Sequence, residues 1–286
     1  MNNSTIIFNK NLLRQQKKRA AIRFGNHNFL DQWADKQMAA RLDIIKPEFS
    51  HTIYIGKNPD VIKNSRKIKS LTHICDTNEY NPNIIGDDEY LPLNNNKIDL
   101  ILSSLSLHYT NDLLGALIQS KLALRPDGLF IGALLGGETL YELRDVLQQT
   151  EMEIYGGLSP RIAPFADIKT LGSLMQRADF ALPVIDSEKL IVEYRALNSL
   201  YQDLRYMGQS NCLNDRNSKP VSKKFWRRAE EIYAKKYATE DKKFVATFEV
   251  IFLLGWKPHE SQQKPLKPGS AEKRLADSLN TTETKL

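Results

Sequence analysis

The sequence predicts an α/β fold built on a doubly wound parallel sheet, and three observations carry that expectation. Short apolar runs of strand length alternate with stretches of helical period through the first two thirds of the 286 residues. The clearest helix ends at Arg125-Pro126-Asp127-Gly128, a turn in which Pro fixes φ and Gly128 accepts a left-handed conformation. The run that follows, Leu129–Leu134, is apolar throughout, as a strand covered on both faces must be.

Taken in order, Thr52–Ile55, Leu71–Cys75, a short run before Gly86, Ile98–Leu102 and Leu129–Leu134 read as strands bounded by polar or turn residues. Between the last two, Leu113, Leu114, Leu117, Ile118 and Leu122 recur at helical spacing behind Asp112, an N-cap residue. Gly136-Gly137 then breaks the chain. Glu138–Gln149 reads as a helix with Leu140, Leu143, Val146 and Leu147 inward, and Ile168–Arg177 as another. Val184–Tyr194 has strand character. Residues 197–207 and 222–237 form a helical insertion, the second helix lined by Phe225, Ala229 and Ile232, and Ala246–Leu254 is a closing strand. The chain thus divides into a basic helical arm (1–45), a core (46–195), the insertion with its closing strand (196–256) and an irregular tail (257–286).

Composition narrows the function. Hydrophobic residues make up 41% and charged residues 26%, which excludes a chain disordered overall. No apolar run approaches the ~20 residues of a membrane-spanning helix. Cys75 and Cys212 alone build no disulfide framework, which fits a reducing compartment. The net charge of +6 comes from Lys10, Arg14, Lys17, Lys18, Arg19 and Arg23, all ahead of the first acid, Asp31; without them acids and bases balance. A nucleic-acid binder spreads its basic face over the folded domain, so none is expected as a partner. The arm either makes peripheral contact with an anionic membrane or is a solvated helix.

Ligands of an open parallel sheet bind beyond the carboxyl ends of its strands. Gly56 ends the first strand and can let a ligand approach the backbone. Asp76, twenty residues on, either accepts ribose hydroxyls or caps a turn. The block Gly86-Asp87-Asp88-Glu89-Tyr90-Leu91-Pro92-Leu93 either receives an adenine amine or is an acidic surface turn. His108, at the end of Ser103-Ser104-Leu105-Ser106-Leu107-His108, is a general base or a structural group. His27, His51, His73, His108 and His259 are scattered, with no HExxH, so no metal site is read; nor is there a GxSxG elbow or a P-loop.

Together these pieces resemble a class I S-adenosylmethionine (SAM) methyltransferase, a likeness over about half the chain that extends to the biotin-pathway carrier-protein O-methyltransferases. Further motifs run almost end to end: Ser103–Asp112, Gly136–Arg144, Ser159–Phe165, Met207–Cys212 and Gly255–Gln262. These are similar to mitochondrial complex I assembly factor 5, an arginine hydroxylase, and its bacterial relatives. The resemblance implies a Rossmann-like sheet, SAM held by Gly56, Asp76, Asp87 and Ser103, and a protein substrate that is a complex I subunit. Methylation and arginine hydroxylation both stay open under it. A small-acceptor O-methyltransferase and a non-catalytic assembly chaperone are the alternatives, the former disfavoured by Gly255–Gln262. Family-like sequence begins near Phe8, leaving too few residues ahead for a transit peptide, so a bacterial cytoplasm is expected.

One segment departs from the family. Its pattern after the first strand is apolar-Asp-apolar-Gly-x-Gly-x-Gly, whereas this chain has Ile53-Tyr54-Ile55-Gly56-Lys57-Asn58-Pro59-Asp60. Tyr54 replaces the acid, and Asn58 and Asp60 replace two glycines. Their side chains are expected to weaken SAM binding, Asp60 by bringing a carboxylate toward the cofactor's own.

Overall fold

The computed structural model describes residues 6–263 together with residues 270, 276 and 281. Seven strands form one sheet in the order β3-β2-β1-β4-β5-β7-β6: β1 (Thr52–Ile55), β2 (Leu71–Cys75), β3 (Ile84–Ile85), β4 (Ile98–Ser104), β5 (Leu124–Leu135), β6 (Ala181–Tyr194) and β7 (Phe244–Trp256). β1 pairs in parallel with both β2 and β4, so strand order reverses there; β7 alone runs antiparallel to its neighbours β5 and β6. This is the doubly wound sheet the apolar runs predict.

Period-two alternation explains how both faces are buried. Tyr54, Leu100, Leu102, Leu129 and Ile131 point to one face, which is covered by α2 (Phe29–Ile44), α5 (Tyr141–Tyr155), α7 (Leu197–Tyr206) and α8 (Lys223–Tyr237). Ile53, Ile55, Ile101 and Phe130 point to the other, under α4 (Leu113–Ala123) and α6 (Ile168–Arg177). α4 is capped as expected, the Asp112 carboxylate accepting from the Gly115 N–H. The short α3 (Asp60–Lys63) follows Pro59. Among the described residues no helix is long and apolar enough to cross a membrane.

Two local expectations change. Arg125–Gly128 fall within β5, at an irregularity in its pairing with β4, and it is Asp127 that adopts the left-handed conformation, with φ 60°. Both sides of that turn are tied to Lys257 just past β7: the Asp127 N–H donates to its carbonyl, and its own N–H donates to Gly128 O. Gly128 serves instead for close approach, since a Cβ there would lie 2.8 Å from the Arg125 carbonyl oxygen. The helix after Gly137 begins at Tyr141 rather than Glu138, because Leu140 is left-handed (φ 54°) and donates its N–H to Thr247 O on β7.

The basic arm is folded onto the core. Phe8 and Leu13 pack with Tyr109, Cys212 and Leu213, which seats α1 (Lys10–Ala21) across the carboxyl ends of β1 and β2. Most of the irregular tail expected over 257–286 lies outside the described residues.

Candidate functional site

The switch between β1 and β4 opens a recess beyond the strand ends, where an α/β sheet binds its ligands. Its walls are Ile55, Gly56, Lys57, Cys75, Asp76, Gly86, Asp88, Ser104, Leu105 and Ser106, and its lid is Lys17 of α1. Of the residues the sequence singles out, Gly56 and Asp76 meet here. Asp87 does not: it faces α1, and its neighbour Asp88 turns inward and accepts from the Ser106 hydroxyl at 3.0 Å. Ser103 is fully buried one residue behind the wall, its hydroxyl 3.1 Å from that of Ser106. Leu105, at the strand end, is held left-handed at φ 46°, a conformation that costs a branched residue and that clusters at functional sites.

The recess is closed by the chain's own cations. The Lys17 ammonium donates to both carboxylate oxygens of Asp76 at 2.9 Å, although Lys17 is only 8% exposed. Burial opposes its charge, but Asp76, assisted by Cys75 and Asp88, raises its pKa above the ordinary lysine value. One and two turns earlier on the same helix face, Arg14 reaches Asp87 at 2.8 Å and Lys10 reaches Glu89 at 3.0 Å and Asp87 at 3.3 Å. Burial raises the Asp87 carboxyl, yet the Glu89 N–H and these two cations carry it below its ordinary range. On the opposite side Lys57 is buried against Asp31 at 2.8 Å and donates to the Met207 carbonyl at 2.9 Å. The free volume left is about 10 Å³, scarcely one water.

Tyr54 explains the rest of the turn. Its ring is fully buried, and its hydroxyl lies 3.0 Å from Asp35 and 3.1 Å from the Asn58 carbonyl. Burial pushes the Asp35 carboxyl up to about 8, so it is neutral over much of the physiological range and holds a proton for this network. Gly56 makes room for that ring, since a Cβ there would lie 2.9 Å from it. Asp60 corrects an expectation: its side chain is 73% exposed and near Lys63, so it turns away from the recess. Closure comes from Lys17 and Lys57 instead. With Asp76 paired and the volume gone, the residues as arranged do not fit SAM.

His108 lies outside this recess. Its Nε2 contacts Gln209 Oε1 at 3.1 Å, its Nδ1 faces the Leu135 N–H at 3.5 Å, and its ring packs on Tyr109 and Phe165. Burial lowers its pKa to about 3, so it stays neutral and is a weak base as placed. Beyond Gln209 lies a second, larger cavity of about 280 Å³ between α5, α7, α8 and the segments 161–165 and 209–211. Sequence reasoning missed Lys17, Lys57, Asp88 and this cavity. The Asp88 signal was its alternation with Asp87; the others depend on contacts between distant segments.

Comparison with known proteins agrees with this architecture. Residues 56–132 match the Methyltransferase domain family. The arginine-hydroxylase NDUFAF5 of Mus musculus is 36% identical over 283 residues, covering 93% of this chain and 81% of that protein. This chain belongs to the arginine-hydroxylase NDUFAF5 family. The Danio rerio member is 44% identical over 194 residues, an alignment spanning 68% of this chain and 60% of that protein. The malonyl-[acyl-carrier protein] O-methyltransferase of Gallionella capsiferriformans is more distant, 32% identical over 61% of this chain and 58% of its own length. Among solved structures, the YcgJ protein of Bacillus subtilis has a TM-score of 0.53 at 11% identity, covering 79% of this chain and 98% of that one, a likeness of fold. For this NDUFAF5 relative, the motifs outside the cofactor-type core acquire a location. Arg161, Ile162, Ala163 and Phe165 of one motif, and Gln209, Ser210 and Asn211 of another, line the 280 Å³ cavity beside His108.

Proposed function

We propose that this chain acts on a protein substrate during assembly of respiratory complex I, modifying an arginine as the name of its relatives implies. The observation that carries this reading is that family motifs from outside the cofactor-type core converge on one cavity next to the strand-end recess. SAM binding, in this reading, waits on withdrawal of α1, because Lys17 holds the carboxylate that would take the ribose. A bacterial cytoplasm is the proposed location; Lys18, Arg19 and Arg23 are the arm's exposed cations and the ones placed to meet an anionic membrane.

The test is the intact mass of the complex I subunits isolated from cells with and without this protein. A gain of one oxygen supports hydroxylation, and a gain of one methylene would redirect the reading to methyl transfer. A second reading, a non-catalytic assembly chaperone, is favoured by the closed recess. It requires unchanged mass together with assembly that still depends on the protein.

A further inference from the structure

We propose that the cleft between α5 and the segment 159–165 is a carboxylate site, and that it holds an acidic side chain of the protein substrate beside the residue being modified. The second half rests on the protein-substrate reading; the first does not. The cleft, of about 420 Å³, is lined by Gly137, Arg144, Leu147 and Gln148 on one side and by residues of 159–165 on the other. It joins the motif Gly136–Arg144, which the neighbouring cavity uses only through leucines, to the motif Ser159–Phe165.

Arg144 supplies the charge. Its guanidinium donates to the Gly137 carbonyl at 3.2 Å and to the Thr139 carbonyl at 3.1 Å, which leaves further N–H donors. Burial lowers its pKa, and no acidic group among the described residues offsets that. Arg161 also lines the cleft, but it lies 2.6 Å from Glu151. Burial favours the neutral form of Glu151, yet hydrogen bonds from Ser159 and Arg161 hold its pKa below the ordinary value, so this pair is self-compensated. A half-buried cation without a counter-charge bears an unopposed desolvation cost, and a carboxylate on its remaining donors would offset it. The lining contains no acid, which excludes a cation as the occupant. One unmatched positive charge suits a single carboxylate better than a phosphate dianion.

Position identifies the carrier. Leu147, Arg161, Ile162 and Phe165 line both this cleft and the 280 Å³ cavity beside His108. A chain laid across the shared wall presents one side chain to the cavity and a near neighbour to Arg144. Gln148, on the cleft side, is exposed, so the approach is open to a macromolecule.

The site is tested by NMR titration of the isotope-labelled full chain with N-acetyl-glutamate N-methylamide, followed at the Arg144 Nε–H and the Gly137 amide. Binding should be saturable and at least about tenfold tighter than that of the glutamine analogue, which lacks only the charge. Arg144→Gln should remove the preference. Because that change also frees the Gly137 and Thr139 carbonyls, Gln148→Glu is the second variant. It sets a carboxylate one helical turn from Arg144, occupies the site from within, and should weaken the probe at least about tenfold. Absence of saturable binding, equal affinity for the two probes, or binding undiminished in Gln148→Glu would overturn the carboxylate site. The carrier is tested by the mass-shifted fraction of the complex I subunits in cells carrying the parent chain or Gln148→Glu. That fraction should fall by up to about tenfold in the variant, as lost binding slows reaction at limiting substrate. An unchanged fraction alongside lost probe binding would overturn the substrate assignment. No mass shift with the parent chain would overturn the protein-substrate reading and the carrier with it, while the titration decides the carboxylate site by itself.

Discussion

Two recesses lie on either side of the β4 end, one about 10 Å³ and the other about 280 Å³, and they are built from opposite materials. The smaller is lined by carboxylates and hydroxyls and is filled by lysines from α1 and from the turn after β1. The larger is walled by leucines and aromatic rings, whose lone charged member is tied to a buried glutamate. Flexible cations can swing into a polar recess because each carboxylate rewards the move. Apolar walls fixed by packing have nothing to send inward, so the space persists. The fold therefore keeps its cofactor-type site shut by ion pairs, which substitution or competition can release, and its neighbouring cavity open by rigidity.

That contrast is broken most severely at Lys57. Lys57→Met would leave Asp31 buried without its cation and the Met207 carbonyl without its donor. The expected loss is about 3–5 kcal/mol, the cost of stranding one member of a buried pair, read from the denaturant midpoint. If stability is unchanged, the lysine is not buried as described.

Proton linkage gives the next largest effect. Asp35 has its pKa raised from 3.8 to about 8, so the folded state holds a proton that the unfolded chain releases. Its contribution is full below the unfolded value and is lost as pH rises through about 8. His108 is lowered from 6.5 to about 3, so its contribution is full above the unfolded value and is lost as pH falls toward 3. The two slopes oppose each other between those unfolded values. Of this pair only Asp35 acts from about pH 6.5 to 8, with the buried Asp31 and Asp88 carboxyls, also raised by burial, contributing in the same direction. Stability should decline there by up to about 1.4 kcal/mol per pH unit. Melting curves of Asp35→Asn across that interval should be flat by comparison; an unaltered slope would place the titration elsewhere.

Tyr54→Phe is a milder change. It removes the hydroxyl shared by Asp35 and the Asn58 carbonyl, for a loss of about 1–3 kcal/mol in chemical denaturation. Smallest of all is Asp60→Ala, expected within about 0.5 kcal/mol of the parent, because its carboxylate faces solvent. A large gain in SAM affinity from Asp60→Ala would show that the carboxylate does face the cofactor.

The strands were legible because their signal is local. β1 and β2 have the bounds that the apolar runs mark, and Asp112 caps α4 as its position dictates. The placement of residues at the strand ends was partly legible: Gly56 and Asp76 share one recess, while Asp87 and Ser103 sit just behind or beside it. What closes the recess could not be read. Lys17 and Asp76 are 59 residues apart, and nothing in a run of arm cations tells which will be solvated and which buried. The consequence of Tyr54 was similarly hidden, since it depends on Asp35 arriving from α2 with its proton retained.

The most direct measurement is calorimetric titration of SAM into the parent protein, Lys17→Ala and the double variant Lys17→Ala/Asp76→Ala. Closure by Lys17 predicts weak binding by the parent, saturable binding at least about tenfold tighter for Lys17→Ala, the worth of roughly 1.4 kcal/mol, and loss of that gain in the double variant. Tight binding by the parent that Lys17→Ala leaves unchanged would contradict the claim that α1 shuts this site.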